Sequence, residues 1–117
     1  MIPSVIKKRS EFVEISRFGS RAKTDLLVVI CLKVDGVLSV GFTASKKVGK
    51  AVKRNKARRR LKELVRLCSG VFPAGCSLVF IATKDTASCE FQKLKSDFAY
   101  CVRRSAEREK AKIQMKY

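Results

Sequence analysis

The chain has 117 residues, with 27 Lys or Arg against 10 Asp or Glu for a formal charge of +17, and 46% hydrophobic residues. That length supports one small domain with its own core, so residues 1–117 are taken as a single domain, and the hydrophobic content with two Pro and six Gly excludes global disorder. The longest apolar run, Leu26 to Leu32, is far short of the ~20 residues that span a bilayer.

Ser10 to Phe18 predicts a short helix, with Ser10 as N-cap, Phe12, Ile15 and Phe18 at helical spacing, and Gly19 as its stop. Leu26 to Leu32 is too short and too β-branched for a core helix and predicts a buried strand. Asp35-Gly36 is the strongest hairpin signal, with Leu38 to Ala44 as the expected partner strand. After the Pro73-Ala74-Gly75 break, Ser77 to Thr83 predicts a third strand. Ser88 is expected to cap a long helix in which Phe91, Leu94, Phe98, Cys101 and Val102 recur at three and four. From Arg103 onward the chain is charged and shows no apolar stripe. The ordered core is therefore expected over about residues 6–105, with 106–117 as a frayed tail.

Between the second and third strands lies the most informative segment. From Lys46 to Arg66 there are eleven Lys or Arg and one acid, Glu63. A face this nearly single-signed repels itself unless a polyanion neutralises it, whereas solubilising faces mix their signs. At 100° per residue Ala57, Leu61, Leu64, Val65 and Cys68 fall within about a 100° arc as a core stripe. Asn55, Arg59, Lys62 and Arg66 form a second line on another azimuth, and Val48 and Val52 point away from the core stripe. The first two turns are expected to project beyond the sheet and expose most of their circumference.

Catalysis by protein side chains is not expected. The chain has no His, the commonest acid–base group, and its ten acids are scattered without a pair beside a nucleophile pattern. Glu90 reads as a first-turn helix carboxylate favoured by the dipole, not as part of a metal-nuclease motif. Gly41 and Gly49-Lys50 are spaced wrongly for a phosphate loop, and Ala51 stands where Ser or Thr is required. Cys31, Cys68, Cys76, Cys89 and Cys101 form no C-x-x-C pair, so no metal site is expected, and Cys31, Cys68 and Cys101 read as buried filler. An odd count of thiols fits a reducing cytoplasm, and Met1 to Arg9, apolar before charged, reverses the order of a secretory signal. The basic helix lacks the wide apolar face of a membrane anchor, so no membrane partner is expected. RNA is favoured over DNA because zinc-finger spacing, leucine heptads and a helix-turn-helix partner are all absent. The residues alone thus point to a basic α/β RNA-binding domain. A general RNA-binding protein or an architectural DNA-binding protein would share its charge and size.

The order of residues is more specific than their charge. Ser45-Lys46-Lys47-Val48-Gly49 leads into Ala51-Val52-x-Arg54-Asn55-Lys56-x-Arg58-Arg59. Before it stand Lys7-Lys8-x-x-x-Phe12 and Val40-Gly41-Phe42-Thr43-Ala44, and after it Phe80-Ile81-Ala82-Thr83-Lys84. In this order the segments resemble the bacterial ribonuclease P protein subunit, from Ile6 to roughly Ser105. The resemblance implies an α+β fold: a single-domain α/β sandwich with a central four-stranded mixed sheet, about three helices and a left-handed βαβ crossover. It implies an accessory subunit of a ribozyme that removes the 5′ leader of precursor tRNA. The RNA carries the hydrolysis and holds the Mg2+, no protein residue is catalytic, and no protein partner is required. Contact with the catalytic RNA would fall to Lys46, Lys47, Lys50, Lys53, Arg54, Asn55, Lys56, Arg58, Arg59, Lys62 and Arg66. Leader contact would fall to Phe12, Lys7, Lys8 and Lys84, with Phe12 stacking on a base or anchoring the first helix. Three positions depart from the family pattern: Ser16 and Ile30 stand where aromatics are common, and Lys56 where Arg is usual, which keeps charge but loses the bidentate fork.

Overall fold

The computed structural model describes residues 4–114 apart from 35, 37, 69, 71 and 74. In chain order the elements are β1 (Ser4–Val5), α1 (Arg9–Phe18), β2 (Ser20–Lys23), β3 (Leu27–Lys33), β4 (Ser39–Thr43), α2 (Ala51–Cys68), β5 (Cys76–Ala82) and α3 (Phe91–Gln114). The sheet order is β1-β4-β5-β3-β2, four full strands with the two-residue β1 extending one edge. β4 runs parallel to β5 and to β1, while β3 is antiparallel to β5 and to β2.

Alternation along the strands divides two cores. Val29, Cys31, Val40, Leu78 and Phe80 face Leu61 and Leu64 of α2 and Leu94 and Phe98 of α3. Ile30 and Val79, with Val28 and Ile81, turn to the other face and pack with Ile6, Phe12 and Ile15 under α1. β5 is buried along nearly its whole length, the pattern of a central strand covered on both faces. Phe80 stacks on Phe98 at 4.8 Å and on Phe42 at 5.7 Å between ring centroids, which joins α3 to β4 through β5.

The hand of the β4–α2–β5 connection follows from the register. Ile6 N donates to Val40 O at 2.7 Å, so Val40 turns its polar groups toward β1 while its side chain enters the α2–α3 core. For an L-residue on an upward strand with its side chain toward the viewer, those polar groups point right. β1 is therefore right of β4 and β5 is left of it, with α2 in front. The crossover is left-handed, against the usual rule for parallel strands.

Several expectations change. The hairpin read at Asp35-Gly36 does not pair its flanking strands: β5 lies between β3 and β4 and bonds to both, and Asp35 lies outside the described residues. The tight hairpin is instead β2–β3, closed by Thr24 N donating to Leu27 O at 3.0 Å and Leu26 N donating to Thr24 Oγ1 at 3.1 Å. Ser10 is inside α1, whose N-cap is Lys8, and Ser88 and Glu90 precede α3, which begins at Phe91. The tail expected to fray from residue 106 continues as α3 to Gln114, held by the buried Glu109; residues 115–117 lie outside the described residues.

Candidate nucleic-acid interface

Ser45 opens one 3₁₀ turn, Lys46–Val48, by accepting from Lys47 N at 3.3 Å. Val48 is 2% exposed and plugs into the core, contrary to the expectation that it points away, because this turn precedes the helix and has its own azimuth. Gly49 at φ 137° then redirects the chain into α2, and a Cβ there would meet Lys53 Cδ at 2.9 Å. Lys46 and Lys47 are thereby held exposed just ahead of the helix.

Along α2, Ala57, Leu61, Leu64 and Val65 are buried, and Cys68 is half-buried, as the periodicity required. Asn55, Arg59, Lys62 and Arg66 are all exposed on the second line, and Lys50 and Lys56 are exposed beside them. Lys53, Arg54 and Arg58 are half-buried. Arg54 Nε is buried without a hydrogen-bond partner among the described residues. Asn55 Oδ1 accepts from an Arg58 terminal nitrogen at 2.5 Å, which fixes that guanidinium against its own helix. Arg66 is bound to Glu63, whose carboxyl its guanidinium holds below the ordinary value, so its charge is locally matched. Lys62 Nζ lies 5.9 Å from the centre of the Phe42 ring.

Arg60 is the exception within the basic run. It donates to Thr86 O at 2.7 Å and to Cys89 O at 2.8 Å, with its guanidinium 5.6 Å from the Phe91 ring centre. It fastens the segment after β5 to α2 and is a structural cation. A helical wheel places it beside the core stripe, which is the only sequence sign of this role.

On the opposite face a cleft of about 650 Å3 runs between α1 and the sheet, lined by Lys7, Arg9, Phe12, Val13, Ser16, Arg17, Thr43, Val79 and Ile81. Phe12 packs on Gly41, where a Cβ would lie 2.6 Å from Phe12 Cε1, which anchors α1 to the sheet, and the same residue is part of the cleft lining. Lys7 is in the lining, whereas Lys8 caps α1 with its carbonyl and Lys84 sits exposed in the turn after β5, both outside the lining. Arg9, Arg17 and Thr43 are cleft residues the sequence reading missed. They come from both ends of α1 and from β4, and only the tertiary fold brings them together. Ser16 lines the cleft where an aromatic is common in the resembled family, and Ile30 is fully buried beneath α1.

The cleft and the basic helix lie on opposite faces yet meet at one end of the sheet. β4 and β5 are parallel, so the Lys46–Val48 turn that follows β4 and the Lys84 turn that follows β5 emerge side by side. Thr43 and Ile81, paired near those strand ends, open the cleft toward them.

The architecture is that of solved bacterial RNase P proteins. The Thermotoga maritima protein superposes with a TM-score of 0.77 at 24% identity, over 86% of this chain and 96% of that one. The Staphylococcus aureus protein does so with 0.75 at 21% identity, over 87% and 94%. Sequence carries the assignment further. The ribonuclease P family model matches residues 3–106. The ribonuclease P protein component of Desulforamulus reducens is 40% identical over 91 residues, 77% of this chain and 80% of that protein. That of Gluconacetobacter diazotrophicus is 37% identical over 106 residues, 88% and 91%. The chain belongs to the ribonuclease P protein family.

Proposed function

We propose that this chain is the protein subunit of a cytoplasmic ribonuclease P, binding the catalytic RNA through α2 and the 5′ leader of precursor tRNA in the α1 cleft. The observation that carries the reading is the meeting of the two surfaces at the C-terminal ends of β4 and β5. A leader emerging from RNA docked on α2 enters the cleft around one sheet end, past Lys46, Lys47 and Lys84. The lysines and arginines of α2 neutralise phosphates, while Asn55 sets the aim of Arg58. In the cleft Phe12 offers a face that stacks on any base, flanked by Lys7, Arg9 and Arg17 for the backbone, a sequence-tolerant arrangement. The reading assigns the magnesium and the hydrolytic step to the RNA; among the described residues no three Cys, Asp or Glu side chains converge. None of the helices described is long and apolar enough to cross a membrane.

The test is cleavage of a 5′-extended precursor tRNA by a bacterial ribonuclease P RNA at low Mg2+, with and without the protein. Rescue that requires the RNA is expected, and Phe12→Ala should weaken binding of precursor more than of mature tRNA. A protein that binds both RNAs and leaves cleavage unchanged is a general RNA-binding protein instead. Equal losses for precursor and mature tRNA would remove Phe12 from leader recognition.

A further inference from the structure

Beyond the outward line of α2, a groove of about 430 Å3 separates the first turns of that helix from the segment between β5 and α3. Lys50, Val52, Lys53 and Lys56 form one wall, Ala87 and Ser88 the other. We propose that this groove is a second RNA contact, gripping one ribose–phosphate strand of the catalytic RNA between α2 and the Ala87-Ser88 wall. The inference rests on the functional reading above and adds to it a wall that carries no basic motif.

Three observations converge on it. Val52 is 82% exposed, more than any other large hydrophobic side chain described, and it sits among three lysines. A lone exposed valine is ordinary, but one set in a cationic groove matches a backbone that alternates phosphate with the apolar face of ribose. The far wall is rigid. Thr86 Oγ1 donates to Leu26 O at 2.6 Å and accepts from Thr83 N at 2.8 Å, and Ala87 is only 3% exposed. Finally, the groove's width is set from α2 itself. Lys53, Lys56 and Arg60 share a stripe at i, i+3 and i+7, so the lysines line the groove while Arg60 bonds its far wall to the helix. Arg60 is thus a positioning residue. The groove is single-signed as well, since neither Asp85 nor Glu90 is in its lining.

Val52→Glu and Ser88→Glu change exposed positions, so both variants should melt like the wild type. Each places a negative charge where a phosphate would run. One lost phosphate contact corresponds to roughly tenfold weaker binding at 0.1 M salt, and that loss is expected for each variant on ribonuclease P RNA. Lys53→Gln with Lys56→Gln should lower the salt slope by about 1.4–1.8, or about 0.7–0.9 for each contact. If both glutamate variants bind like wild type while Arg58→Ala with Arg59→Ala binds weakly, the groove is not a contact and the functional reading stands. If the wild type binds ribonuclease P RNA no better than an unrelated structured RNA, the functional reading fails. The same variants measured on that control RNA then still decide the groove.

Discussion

Glu109 is 3% exposed and accepts from Ser20 Oγ at 2.8 Å and from Lys33 N at 2.9 Å, with Lys112 Nζ 2.9 Å away. Burial alone would raise its pKa. The Lys33 N–H, Lys112 and Ser20 outweigh it and leave the carboxyl below its ordinary value. A carboxylate whose pKa falls on folding stabilises the protein above the unfolded-state value, about 4.5, and that contribution is lost as the pH drops through the folded-state value. Glu109→Gln should therefore cost about 1–3 kcal/mol at pH 7, because it removes the charge that faces Lys112 and weakens the bonds accepted from Ser20 and Lys33. Urea unfolding of both proteins should show this gap narrowing toward pH 3, and a gap independent of pH would remove the charge from the explanation. The sequence hid this residue: Ser105 and Glu109 occupy the inward positions where an apolar stripe would have announced a helix. Ser105 donates to Val102 O within its own helix, and a carboxylate satisfied by partners 76 and 89 positions away leaves no local trace.

At the scale of elements, runs long or periodic enough to bury a face were legible: β3, β5, the core stripe of α2 and the first half of α3. β2 was not, because Ser-Arg-Ala-Lys turns only Ala22 fully inward and owes its place to pairing with β3. The Asp35-Gly36 signal located a chain reversal correctly in direction and wrongly in adjacency, since β3 and β4 run opposite ways with β5 inserted between them. No local pattern encodes which strand will insert. Of the site, the contiguous motif was readable and the cleft only partly so, because its lining comes from α1, β4, β5 and the residues before α1. The segment between β5 and α3 shows how one side chain can couple two elements. Replacing Arg60 by Met keeps much of its packing but leaves the Thr86 and Cys89 carbonyls without these donors, for about 1–3 kcal/mol. Amide hydrogen exchange should then quicken over residues 86–90 while β5 stays protected. Unchanged exchange there would mean that the threonine bonds hold the segment alone.

Over the whole molecule, +17 on 117 residues is a liability for folding and an asset for binding, and the fold resolves the tension by sorting its cations. Some are consumed internally: Arg60 by carbonyls, Arg108 by Arg21 O at 2.6 Å, Lys112 by Glu109. Arg66 is matched by Glu63 on its own helix. The lysines and arginines of α2 that face outward without an acid remain to displace counterions from RNA. If six of them meet phosphates, affinity should fall ~10³ between 50 and 200 mM salt, but that steepness alone would suit any polyanion binder. The slope's response to substitution is sharper. Arg59 is exposed on the outer line with no acid bound to it among the described residues, so Arg59→Ala should reduce the slope by about 0.7–0.9. Arg66→Ala should reduce it by less, because part of its charge is already neutralised and its removal frees Glu63 to repel the RNA without changing the count of contacts. Arg60→Met should leave the slope unchanged even where it lowers affinity. Binding isotherms at four or five salt concentrations separate the three, and equal slope losses for Arg59, Arg60 and Arg66 would mean that RNA senses only net charge and not the geometry that sorts it.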